Sequence, residues 1–79
     1  AIPARVGDLE VQLIADYRGA SLTGKVVRIH NRGTKPVTLA ERDLAPRDTL
    51  AVSIAEPKLE PGASTTAFVV GASGETGND

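Results

Sequence analysis

The stretch LEVQLIADYR, residues 9–18, decides the fold class. Leu9, Val11, Leu13, Ala15 and Tyr17 alternate with Glu10, Gln12, Ile14, Asp16 and Arg18. A period of two is the signature of a strand with one face on a core and one in solvent. Gly19 and Ala20 end it, and SLTGKVVRIHN (residues 21–31) reads as the next strand. There Leu22 is out of phase with Val27 and Ile29, and a bulge near Gly24 is the expected repair.

The pattern continues outward in both composition and punctuation. NRGTKP (residues 31–36) is turn chemistry, because Asn31 and Gly33 tolerate positive φ and Pro36 cannot donate to a ladder. VTLA (37–40) is a short third strand showing Val37 and Leu39, and one helical turn fits between Leu39 and Leu44, with Leu44 as a buried anchor. TLAVSIA (49–55) is a fourth strand with Leu50, Val52 and Ile54 on one face. EPKLEPG (56–62) reads as a connection in which Pro61-Gly62 supplies the centre of a type II turn. STTAFVV (64–70) closes the set with Thr66, Phe68 and Val70 in phase. Five short strands separated by turn signals predict an all-β domain, a small immunoglobulin-like β-sandwich over residues 1–70. Residues 71–79, GASGETGND, have the composition of a flexible tail. The expected core is Leu13, Val27, Val52 and Phe68, each central in its strand, with Tyr17 inward as well.

With 79 residues the chain is one domain, and so short a chain has a thin margin of stability. It has no cysteine, so neither a disulfide nor a thiolate metal site reinforces it, and no methionine, as expected of a processed or excised segment. There is no apolar run long enough for a membrane span and no signal-peptide pattern. The net charge is −1, and the nine basic residues are dispersed rather than gathered, which argues against a surface that tracks phosphates.

The chemistry of catalysis is thin. His30 is the single histidine, flanked in phase by Arg28 and Arg32, which repel a metal cation; it reads as a solvated strand-end residue. Glu41, Asp43 and Asp48 form a loop cluster without the ligand spacing or glycine of a calcium loop. Ser53 and Ser64 have no nucleophile-elbow context. Gly71, Gly74 and Gly77 follow a strand as in a nucleotide-binding turn, but no lysine or helix follows them. No catalytic residue, metal or cofactor is expected, and the protein is read as a non-enzyme. The unexplained residues are apolar ones in the wrong phase. Ile14, Val26 and Val69 lie opposite the main apolar sets, and Ala51, Ala55 and Ala67 are small where a solvated face would carry charge. One reading is a strand buried on both faces. The other is an outer face covered by a protein partner, with Ile14, Val26 and Val69 as its contacts.

The stretch from Val26 to Val70 resembles the C-terminal domain of TraK, a family of outer-membrane core subunits in F-type conjugative type IV secretion systems. The matching features are a strand ending in Asn31, the segment 37–41 ending in Glu41, Leu44, the strand 51–54, Leu59 to Gly62, and the threonine-rich closing strand 65–70. The resemblance implies a periplasmic, outer-membrane-associated structural domain, placed in a ring of like subunits. It also implies as partners a TraV-like lipoprotein, whose segment adds to the sandwich, and a TraB-like scaffold; from the dispersed basic residues no direct contact to nucleic acid is expected. The alternatives are an immunoglobulin-like accessory or spacer module of a secreted enzyme or adhesin, and a fimbrial-type chaperone domain.

Overall fold

The computed structural model describes residues 4–72. Seven strands follow in order: β1 (Ala4–Val6), β2 (Leu9–Arg18), β3 (Leu22–Asn31), β4 (Val37–Thr38), β5 (Thr49–Ile54), β6 (Lys58–Leu59) and β7 (Ser64–Ala72). A single 3-10 turn, Glu41–Leu44, interrupts them where one helical turn was expected. Five strands make an antiparallel sheet in the order β1-β2-β3-β7-β5, and β4 pairs with β6 in a second, two-stranded sheet. The class is therefore an all-β domain of two unequal layers.

The small sheet covers only one end of one face of the large sheet, and the core lies beneath it. Ile29, Leu39, Leu59 and Ala67 are its buried apolar residues, with Leu9, Val11, Val27, Val37, Leu44, Ile54 and Ala63 packed around them. Register explains the membership: Val11 pairs with Ile29, Val27 with Ala67, and Ala67 with Ile54, and residues directly opposite share a face.

Asn31, fully buried at the end of β3, joins the two layers. Its Nδ2 donates to the carbonyls of Lys35 (2.8 Å) and Leu59 (3.1 Å), while its Oδ1 accepts from the Gly33 N–H (2.9 Å). Its backbone N–H donates to Ala63 O and its carbonyl accepts from Gly62 N–H. The Pro61-Gly62 turn that delivers those partners has the expected form, with Gly62 at φ +83° and Ala63 N–H donating to Glu60 O at 2.9 Å. Thr65, the other buried polar side chain among the described residues, accepts from Glu56 N–H at 2.9 Å.

Several expectations about phase are overturned. The bulge lies in β2, between Leu13 and Ala15, and β3 runs through Gly24 in unbroken register. Leu13 and Tyr17 therefore lie on opposite faces, and Tyr17 is 61% exposed. In β7 the buried residues are Thr65 and Ala67, not Thr66 and Phe68, so Phe68 is 42% exposed. The expected core of Leu13, Val27, Val52 and Phe68 is corrected accordingly: Val27 and Val52 are half-buried, and Leu13 and Phe68 are exposed. A second shift in β5, between Thr49 and Ala51, leaves Leu50 outside the set formed by Val52 and Ile54. Two strands were not anticipated. β1 lies ahead of the first periodic stretch, and β6 lies within the supposed connection, where Leu59 is almost wholly buried. β7 continues through Gly71 and Ala72, and the rest of the expected tail, Gly74 and Gly77 included, falls outside the described residues.

Stability measurements distinguish the two phase assignments. Ile29→Ala should cost about 2–5 kcal/mol, as for other fully buried aliphatic residues, whereas Phe68→Ala should cost only about 1–1.5 kcal/mol because half the ring is already in water. Asn31→Ala leaves the buried Leu59 carbonyl without its partner, and the part-buried Lys35 carbonyl and Gly33 N–H as well, and should cost about 1–3 kcal/mol by urea denaturation. Equal losses at Ile29 and Phe68 would refute this register.

Candidate protein-binding surface

The face of the large sheet opposite the small one has a polar half and an apolar half. In the polar half, Glu10 pairs with His30 and His30 with Ser64 across the three strands, and Arg28 of β3 and Arg32, just past its end, flank His30. The His30 Nδ1 and the Ser64 Oγ share a hydrogen bond of 2.6 Å, and Arg32 donates to Glu10 at 3.3 Å. Asn31 N–H bonds to Ala63 O in the neighbouring pair, so His30 and Ser64 form a non-hydrogen-bonded pair, the kind that brings side chains closest. Ladder geometry thus accounts for the contact. A nucleophilic serine also needs its imidazole oriented by a third group, and the one carboxylate opposite, Glu10, is held by Arg32. The constellation is a cross-strand polar ladder.

Glu41, Asp43 and Asp48 are all exposed, and the Asp43 carboxylate instead accepts from Ala40 N–H at 3.3 Å. Among the described residues no group of three or more histidine, cysteine, aspartate or glutamate side chains is placed to hold a metal ion. No helix among them is long and apolar enough to cross a membrane.

The apolar half lies at the far end of the same face. The bulge at Ile14 turns Ala15 and Tyr17 onto it, opposite Val26 and Gly24, and β7 adds Phe68 and Val70. Gly24 has a steric purpose here rather than the expected bulge: a Cβ on it would lie 2.9 Å from Phe68 Cζ, so the ring rests directly on the β3 backbone. Tyr17, Leu22 and Phe68 remain exposed around that contact, because the second sheet sits on the other face. The small residue Ala51 borders the patch from β5, next to Val70.

The three residues singled out by phase do not converge on one spot. Val26 is half-buried in this patch, across from Phe68. Val69 faces the other way, opposite Lys25 and Val52, in an open groove of about 560 Å³ whose rim carries Arg18, Lys25 and Arg47. Ile14 is the exposed bulged residue of β2. Of the small residues, Ala51 and Ala55 are exposed, but Ala67 is core and not outer surface. Sequence phase missed Tyr17 and Phe68 as surface residues; the available signal was the lone Gly24, which leaves room for an aromatic ring beside it.

This small two-layer β-domain thus exposes an aromatic and aliphatic patch of Tyr17, Leu22 and Phe68, a kind of surface that marks protein contacts. The profile of the TraK C-terminal domain matches residues 1–71, nearly the whole chain, and the protein belongs to that family. It is thus a domain of a conjugative type IV secretion component of the cell envelope, from a structural family not known as enzymatic. A search of curated proteins finds no match.

EDTA should leave the melting temperature unchanged, since a metal bound only to the folded form would raise it and chelation would lower it again. A clear fall on chelation would bring Glu41, Asp43 and Asp48 back as ligands.

Proposed function

We propose that this domain is a structural, non-enzymatic part of the outer-membrane core of a conjugative DNA-transfer channel, working in the periplasm by holding partner chains. Its partners are a TraV-like lipoprotein, captured by strand addition, and a TraB-like scaffold within a ring of like subunits. The observation that carries this reading is the uncovered patch of Tyr17, Leu22 and Phe68 in a family of secretion-complex subunits. Soluble monomers seldom leave contiguous apolar surface unoccupied. An isolated sheet edge adds unpaired N–H and C=O groups that a partner segment satisfies whatever its side chains, while side-chain pockets give specificity. Family membership favours this reading over a spacer module of a secreted enzyme or adhesin.

Val26 and Ile14 are the substitutions that test it. Val26→Glu places a charge in the patch beside Phe68, and Ile14→Glu places one at the β2 bulge. Both should weaken capture of the lipoprotein in a pull-down while circular dichroism stays that of the folded domain. Lys25→Ala should matter far less, because exposed charges contribute about 0–1 kcal/mol. Undiminished capture by both glutamate variants would place the interface elsewhere.

A further inference from the structure

The open face of the large sheet changes character between two neighbouring rows of cross-strand partners. In one row Ala15, Val26 and Phe68 lie side by side on β2, β3 and β7, and in the next Gln12, Arg28 and Thr66 do. The row beyond holds Glu10, His30 and Ser64, and its groups are engaged, Glu10 with Arg32 at 3.3 Å and His30 with Ser64 at 2.6 Å. Arg28 is different. The ion pairs among the described residues join Arg18 to Asp16 and Arg32 to Glu10, so the exposed Arg28 guanidinium is left without an acid. Its cross-strand neighbours, Gln12 and Thr66, carry hydrogen-bonding groups but no charge. Open hollows of about 230 and 470 Å³ flank its side chain, the first toward Gln12 and His30, the second toward Thr66 and Glu56.

Position gives this charge its meaning. Val26 and Arg28 are two residues apart on one strand, a step of roughly 7 Å, and Phe68 and Thr66 are the same step apart on β7. A chain laid over Val26 and Phe68 therefore also takes water away from Arg28. A guanidinium that loses water without gaining a counter-charge is costly, and its planar fork of donors fits a carboxylate through two parallel bonds. Water suffices as its partner only while the apolar residues beside it stay uncovered.

We propose that Arg28 is the charged recognition residue of this surface, and that its ligand is a carboxylate on a partner polypeptide, an aspartate or glutamate one step along from an apolar residue that covers Val26 and Phe68. This rests on the reading of the Phe68 patch as a partner surface and adds the sign and the place of the partner's charge. A single arginine beside the patch is too little for an anionic lipid surface, which is held by clusters of basic residues.

The test is calorimetric titration of the 79-residue chain with the lipoprotein expressed without its lipid, at low and at high salt. Arg28→Gln should weaken binding at least about tenfold, and Arg28→Glu further still, because the partner's covered carboxylate loses its complement or meets a like charge. Arg28→Lys, which keeps the charge without the fork, should fall between the unaltered chain and Arg28→Gln. Raising the salt should weaken the unaltered chain more than Arg28→Gln. Arg28 is exposed, so circular dichroism should show these variants folded, and Lys25→Ala, on the opposite face, should bind nearly as the unaltered chain does. Unfolding of all three Arg28 variants would make the residue part of the fold and overturn the proposal. Undiminished binding by Arg28→Gln and Arg28→Glu, with Val26→Glu still impaired, would overturn it and leave the proposed function standing. An equal loss in Lys25→Ala would mark general charge attraction and overturn it as well. No binding of the lipoprotein by the unaltered chain would overturn the proposed function and this inference together, and retention on anionic phospholipid vesicles in its place would assign the surface to lipid.

Discussion

The side-chain amide of Asn31 holds the two layers together. It ends the strand that carries Ile29, and its Nδ2 reaches the backbone of β6 at Leu59 and of the loop at Lys35. An apolar residue in its place would leave the buried Leu59 carbonyl, and the part-buried Lys35 carbonyl and Gly33 N–H, without this partner. Buried amides are costly when unpaired, and here both ends of the side chain are used. Leu59 and Leu39 are delivered onto Ile29 by this clasp together with the Leu39 N–H bond to Pro57 O at 2.7 Å. The hydrophobic core of the domain thus forms where a polar residue fixes the chain.

The second sheet is too small to cover the first. Its two strands of two residues shield the end of the large sheet near Ile29, and nothing among the described residues shields the opposite end or the reverse face. That asymmetry separates the molecule into a closed half, which makes it stable, and an open half, which carries Tyr17, Leu22 and Phe68. The Ile14 bulge serves the second half: by flipping phase within β2 it keeps Leu9 and Val11 in the core while sending Tyr17 to the open face.

The sequence made the existence of the long strands plain and their phase less so. β2 occupies residues 9–18 as alternation predicts, and β3, β5 and β7 fall within a residue or two of their expected limits. Alternation counts residues from a fixed origin, however, and a bulge resets the origin without altering composition. Unbroken alternation therefore points Tyr17 inward, and the bulge turns it out. Phe68 differs for another reason: in STTAFVV size favours Phe68 as the core residue, whereas the buried pair is the smaller Thr65 and Ala67, which fit beneath the second sheet. Leu59 was hidden because a two-residue strand between prolines has no period to detect. Of the surface candidates, Val26 lies in the patch, Val69 faces the other way and Ile14 is the exposed bulged residue, since single off-phase residues carry no information on which face a neighbouring strand presents.

Openness and stability are opposed in a chain of this size. A domain of this length has only a small surplus of burial over chain entropy, and among the described residues just Ile29, Leu39, Leu59 and Ala67 are buried apolar groups. Leaving Phe68 and Tyr17 in water forgoes roughly 1–2 kcal/mol each that a complete second layer would supply. An uncharged edge at β5 adds a risk of unwanted pairing that β2 avoids with its bulge and charges. A self-sufficient monomer gains nothing from either feature. Both features accord with the proposed capture of a partner chain, which would cover apolar surface and pair with an open edge together. The arrangement also explains why the closed half depends on a polar clasp: with so little apolar area available, the small sheet is positioned by directed hydrogen bonds, and the area saved on the other face remains free for assembly.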